Sequence, residues 1–193
     1  HSQWKQTHHF NTLAVIDYMA GRVLWKSEQF GFASIHGVVL LPQVEGLILY
    51  GRDARKITWT IAANLRTGEL LWRNDSLFGE KGAALIGKNH ESDKLLDGHQ
   101  PPIFDTDSTM ILCMDNEAIR RIDVRTGRVI WRTQIRAHDV PALVDGYAPA
   151  VLAGDRRTVY YPCDKSLLAL KTEDGSYVWK SRPKLPGRVY QIQ

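Results

Sequence analysis

Cysteine is scarce in this chain: Cys113 and Cys163 are the only two in 193 residues. That is too few for the disulfide framework that small secreted domains use in place of a large core. Long apolar runs are missing as well. Nothing approaches the roughly 20 residues that a membrane-spanning helix needs, and the longest stretches, 37–42 and 148–154, are strand-sized. Helical periodicity is also lacking; residues 65–72 come nearest, and the glycine at their centre, Gly68, argues for a turn. The net charge of +4 is spread along the chain, with Arg120-Arg121 and Arg156-Arg157 its densest points. A nucleic-acid groove needs clustered charge among stacking aromatics, so these arginines are expected on solvated strand faces. The sequence opens His1-Ser2-Gln3-Trp4 with neither a Met nor an apolar segment, as expected of a processed chain. What remains is an ordinary globular composition, 44% hydrophobic and 24% charged, long enough for a sizeable core.

What is present is a repeat. Gly21-Arg22-Val23-Leu24-Trp25, Gly68-Glu69-Leu70-Leu71-Trp72, Gly127-Arg128-Val129-Ile130-Trp131 and Gly175-Ser176-Tyr177-Val178-Trp179 share one frame and take four of the six tryptophans. These tryptophans follow one another at intervals of 47, 59 and 48 residues, so the middle interval carries about a dozen extra residues, placed within 78–100. Each glycine sits between apolar alternations and supplies the positive φ of a tight hairpin. Strands are expected before it at 12–16, 57–61, 118–124 and 167–170, and a short one after it runs into the tryptophan. Further strands are expected at 47–50, 110–114 and 158–162, preceded by others at 37–41, 102–104 and 140–144. Four short strands in about 47 residues is the size of one propeller blade. An indole at one fixed place per blade is expected to pack on the neighbouring blade and to donate its N–H to backbone.

At these residues the sequence resembles the quinoprotein-type (PQQ-like) β-propeller repeat, whose blades end in a Thr-Gly-x-x-x-Trp tryptophan-docking motif. The resemblance runs from about residue 9 to 180. It implies an all-β fold, a single β-propeller region over 1–193 built of four-stranded antiparallel blades. Four blades fall in this chain, with Gly21, Trp25, Gly68, Trp72, Gly127, Trp131, Gly175 and Trp179 as the structural residues. Complete members of the superfamily have about seven or eight blades, so the chain is expected to be part of a larger ring, a half that pairs, or a small closed ring. The superfamily includes quinone-dependent alcohol dehydrogenases, a periplasmic lipoprotein that assists outer-membrane protein assembly, and lumenal stress sensors. The resemblance therefore implies a periplasmic, secreted or lumenal compartment.

Loops on a rigid scaffold carry function more often than the scaffold does. The rim opposite the glycine turns collects the variable segments and is the candidate binding surface. It carries Arg52, Asp53, Arg55 and Lys56, then Lys88, His90, Asp93 and His99 of the long loop, then Asp115, Glu117, Asp164 and Lys165. His90, Asp93, Asp97 and His99 match no established metal spacing and read as a solvated loop. Asp105-Thr106-Asp107 reads as a turn held by side-chain-to-backbone bonds rather than a calcium site. Asn74-Asp75-Ser76 fits a glycosylation sequon that matters only in a secreted eukaryotic chain.

The catalytic quinoproteins carry adjacent cysteines beside their cofactor, whereas Cys113 and Cys163 lie on successive second strands with opposite facing, expected as two buried free thiols. No catalytic constellation is visible, and neither cofactor nor metal is expected. The reading is a non-catalytic scaffold that binds a protein or peptide through the rim or through free blade edges, with no nucleic acid and no spanning segment. Two others stand beside it: a relative of the pyrroloquinoline-quinone dehydrogenases, needing the quinone with calcium, and a sensor that works by self-association.

Overall fold

The computed structural model of the protein describes residues 12–55, 57–77, 102–113, 118–135, 150–163, 166–179 and 183–186. The chain divides into two compact units: residues 1–77 with 125–127, and residues 78–124 with 128–193. Every regular element among the described residues is a strand or one of two short 3-10 turns, Ser27–Phe30 and Pro42–Val44, as the absence of helical periodicity requires.

In the first unit, β1 (Ala14–Asp17) pairs antiparallel with β2 (Arg22–Lys26). The second sheet of that unit is a four-stranded antiparallel meander of β3 (Ser34–Leu41), β4 (Gly46–Arg52), β5 (Thr58–Asn64) and β6 (Leu70–Asn74). The middle strands β4 and β5 are buried on both faces, so their apolar residues run without alternation: Leu47, Ile48 and Leu49, then Ile61, Ala62 and Ala63. The outer strand β6 is covered on one side only, and of its residues Leu70, Leu71 and Trp72 only Trp72 is buried. One core of this unit gathers Trp25, Phe32, Ile35, Leu47, Leu49, Trp59, Ile61 and Ala63.

The second unit repeats the pattern. The strands β7 (Ile103–Phe104), β8 (Thr109–Cys113), β9 (Ala118–Asp123) and β10 (Val129–Gln134) form a four-stranded meander, and β11 (Val151–Leu152), β12 (Thr158–Cys163) and β13 (Ser166–Lys171) form a three-stranded one. Ile111, Ile119 and Trp131 share a core with Val159, Tyr161, Leu168 and Leu170. Two expectations need correction here. The strand beside β12 is Val151–Leu152 rather than 140–144, which lies outside the described residues. The residues before Trp179 make an isolated bridge, Leu170 to Tyr177, in place of a fourth strand. Cys163 is a buried free thiol, and the side chain of Cys113 lies outside the described residues.

Gly37 on β3 pairs with Tyr50 on β4, and a Cβ there would overlap the Tyr50 hydroxyl. The missing side chain is what lets the ring lie flat against the strand. Tyr50 is 7% exposed, and burial pushes its pKa from the ordinary 10.0 up to about 12, because the phenolate would have to ionise away from water. The folded state thus holds the phenol proton more tightly than the unfolded chain does. Its contribution is intact below pH ~10 and is lost as pH climbs towards ~12, on the order of 3 kcal/mol in all. Urea midpoints of the wild type are expected to fall more steeply between pH 10 and 12 than those of Tyr50→Phe; parallel curves would show that Tyr50 ionises freely in the fold.

Candidate functional site

Of the rim residues singled out from the sequence, Arg52, Asp53 and Arg55 are described; Lys56, Lys88, His90, Asp93, His99, Asp115, Glu117, Asp164 and Lys165 lie outside the described residues. Arg52 closes β4 and pairs across the ladder with Ser34 and Thr58. The β4–β5 turn is locked by Asp53, whose Oδ1 accepts the N–H of Arg55 at 2.8 Å and of Ile57 at 2.9 Å. This is an Asx turn, and Asp53 N–H in addition donates to the Ile57 carbonyl at 3.1 Å. The turn therefore holds an exposed Arg55 on a fixed backbone.

Beside it stands a group that no sequence pattern announced. Trp59, at the start of β5, stacks on Phe32 with centroids 4.4 Å apart and planes 25° off parallel. The Arg73 guanidinium lies 3.9 Å from the Trp59 ring centroid. It is held there by a two-pronged bond to Asp75, Nε to Oδ1 at 2.7 Å and Nη2 to Oδ2 at 3.1 Å. The Asp75 bond raises the Arg73 pKa, and the Asp53 carboxylate adds to the same direction. Arg73 is about half exposed, so the pair is screened and adds little stability. Its consequence is order: a planar cation fixed on an aromatic face at the surface. The Trp59 indole N–H and the buried hydroxyls of Thr58 and Thr60 find no hydrogen-bond partner among the described residues.

The glycine–tryptophan frame acts in three dimensions as follows. Trp25 lies where a side chain on Gly68 would stand, its Cγ 2.6 Å from that Cβ position, and its indole N–H donates to the Leu65 carbonyl at 2.9 Å. Trp72 occupies the same place under Gly127, and Trp131 under Gly175. The Trp131 indole N–H donates to the Thr172 carbonyl at 2.8 Å. Each of these glycine carbonyls also accepts from a polar side chain shortly after the tryptophan: Gln29 to Gly68 at 2.9 Å, Asn74 to Gly127 at 2.7 Å, Thr133 to Gly175 at 2.6 Å. Asn74 in addition accepts from the N–H and hydroxyl of Ser76, so the sequon asparagine is engaged within the fold. Gly21 has nothing within 4 Å, and Trp179 is half-buried beside Tyr160.

The Asp105 turn is more than a turn. Thr106 Oγ1 does accept the Ser108 N–H at 3.2 Å. Asp105 itself is 3% exposed, pairs with Arg121 at 2.7 Å and accepts the Thr109 hydroxyl at 2.8 Å. Among the described residues no group of three His, Cys, Asp or Glu side chains is placed to hold a metal ion, and no helix is long and apolar enough to cross a membrane.

A model of the family described as outer membrane protein assembly factor BamB matches residues 9–188. No curated protein matches the sequence. The crystal structure of BamB from Moraxella catarrhalis is similar over 88% of this chain and 43% of that one, with a TM-score of 0.54 and 20% identity. At that identity the likeness shows the fold, and this chain spans less than half of that neighbour's length.

Proposed function

The chain belongs to the family described as outer membrane protein assembly factor BamB, and from that premise we propose that it is a non-catalytic β-propeller scaffold that holds a protein partner during membrane-protein assembly. The same membership supports a periplasmic location. The observation that carries the reading is Arg73 fixed on Trp59 by its two-pronged bond to Asp75, close enough to the locked turn that presents Arg55 to feel the Asp53 carboxylate. Arginine and tryptophan dominate the energetics of protein interfaces, and a side chain already ordered loses less freedom on binding. The quinone-enzyme reading has no such support. Its adjacent cysteine pair has no counterpart in the sequence, and Cys163 is a buried free thiol that donates to the Tyr161 carbonyl.

The test is photo-crosslinking in the native host. A photoreactive residue replacing Arg55 is expected to trap a component of outer-membrane protein assembly. One replacing the exposed Arg66, in the glycine turn at the other end of the same sheet, is expected to trap none. Arg73→Ala is expected to weaken the trapped complex about thirty-fold. Crosslinks from 66 and none from 55 would place the partner elsewhere and overturn the rim reading.

A further inference from the structure

We propose that the partner held at the β4–β5 corner contributes an acidic segment, one carboxylate seated on Arg73 and another on Arg55, beside an apolar side chain that covers Ile57; this rests on the scaffold reading. The sheet that carries the corner has its four strands in place, β3 to β6. What the corner offers follows from which of its polar groups are already engaged. Both oxygens of Asp75 are taken by Arg73. Asp53 closes its own turn, its Oδ1 accepting the N–H of Arg55 and of Ile57. The arginines are less committed. Asp75 takes Arg73 Nε and one hydrogen of Nη2, along one side of the guanidinium. The remaining hydrogens, on Nη1 and Nη2, meet no acceptor among the described residues.

That end of the guanidinium is a planar fork of the width a carboxylate fills. One face of its plane lies on Trp59, which is itself stacked on Phe32, so the fork is aimed before a partner arrives. Arg55 is exposed at the turn and has no carboxylate partner among the described residues. With Arg52, the corner sets three arginines against Asp53 and Asp75, and a charge left over on one side draws a ligand of the other sign. Ile57, which closes the same turn, is 52% exposed and supplies the apolar part of the contact. A phosphate-bearing membrane surface is the poorer fit. It calls for a dense basic cluster, whereas the net charge of +4 is spread along the chain and two carboxylates stand within the corner itself.

The experiment is fluorescence anisotropy on the full chain with a labelled peptide of alternating Asp and Val, compared with the same peptide carrying Asn for Asp and, by co-sedimentation, with phosphatidylglycerol vesicles. The acidic peptide is expected to bind about ten-fold more tightly than the amide peptide, and the vesicles to leave the protein in solution. Arg73→Lys keeps the charge but gives up the fork, and is expected to weaken the acidic peptide about ten-fold. Asp75→Asn separates an aimed fork from plain attraction. It makes the corner more positive, yet it is expected to weaken the peptide, because the guanidinium is no longer held. Both changes fall on side chains about half exposed, so urea midpoints are expected to match wild type. No binding of either peptide, equal binding of the two, full affinity in Arg73→Lys, tighter binding by Asp75→Asn or capture by the vesicles would each overturn the acidic segment. The crosslinks from position 55 decide separately whether a partner sits at the corner at all. A trapped partner whose crosslinked segment has neither Asp nor Glu would overturn the acidic segment and leave the scaffold reading standing.

Discussion

Trp72→Ala is expected to destabilise the protein by about 4 kcal/mol and to lower Tm by roughly 12 °C. Trp72 is 7% exposed, and an indole buried to that degree carries one of the largest apolar surfaces a side chain can offer. Removing it leaves a cavity under Gly127, where the indole Cδ2 and Cε3 now lie 2.5 Å from the added Cβ position. The loss is a large part of the 5–15 kcal/mol that holds an ordinary domain folded. Gly127→Ala is expected to cost nearly as much by the opposite route, because its Cβ drives into the ring while φ is held at 67°. The double variant separates the two causes. With the indole gone, the methyl has room, and only the left-handed backbone penalty of about 1 kcal/mol remains. The two changes together should therefore cost clearly less than their sum, by about 3 kcal/mol in chemical denaturation. Gly21→Ala is the control, since nothing lies within 4 Å, and about 1 kcal/mol of backbone strain is all it should cost. Strict additivity at 72 and 127 would mean that the ring and the turn do not meet in solution.

The same contact explains which parts of the architecture could be read from the residues alone. Gly68, Gly127 and Gly175 combine a positive φ with an indole against the Cα; two constraints at one position leave no alternative residue, so the glycine recurs in register. The strands β4, β5 and β8 were legible because strands buried on both faces must be apolar in runs. The strand β9 breaks that run with Arg120 and Arg121, which were expected on a solvated face and which the fold buries, Arg120 to 2% exposure and Arg121 to 17% beside Asp105. What each tryptophan touches was not legible. Its glycine lies one repeat downstream, and the length of the repeat varies with the loop between strands. The polar residues Gln29, Asn74 and Thr133, which bond the glycine carbonyls, are of three kinds at two different offsets and carry no common letter. The Arg73–Trp59 stack depends on the β5–β6 pairing, and a lone Arg-x-Asp is common on any solvated strand. Nine of the twelve candidate rim residues fall outside the described residues, and so the rim is represented by its β4–β5 corner.

At Asp105 the turn itself was legible in the residues, while the interaction that matters most for stability was not. The turn is built as expected, but the carboxylate is buried and its charge is answered by Arg121, 17% exposed, at 2.7 Å. The remaining acceptor capacity is filled by Thr109, whose hydroxyl also meets Thr106 Oγ1 at 2.6 Å and Arg121 Nη2 at 3.1 Å. The Asp105 carbonyl in turn accepts from Arg156 at 3.3 Å. Breaking a buried pair by removing one member costs about 3–5 kcal/mol, because the surviving charge stays desolvated without its partner. Asp105→Ala is therefore expected to destabilise by about 3 kcal/mol, and hydrogen exchange should report the loss in β7, β8 and β9 ahead of β4 and β5. Replacing both members with apolar residues of similar size, Asp105→Leu with Arg121→Met, is expected to recover most of it, since no desolvated charge is then left behind. A cost below about 1 kcal/mol for Asp105→Ala would identify the pair as a solvent-screened surface contact. A double variant as unstable as the single one would instead locate the penalty in the lost hydrogen bonds of Thr109.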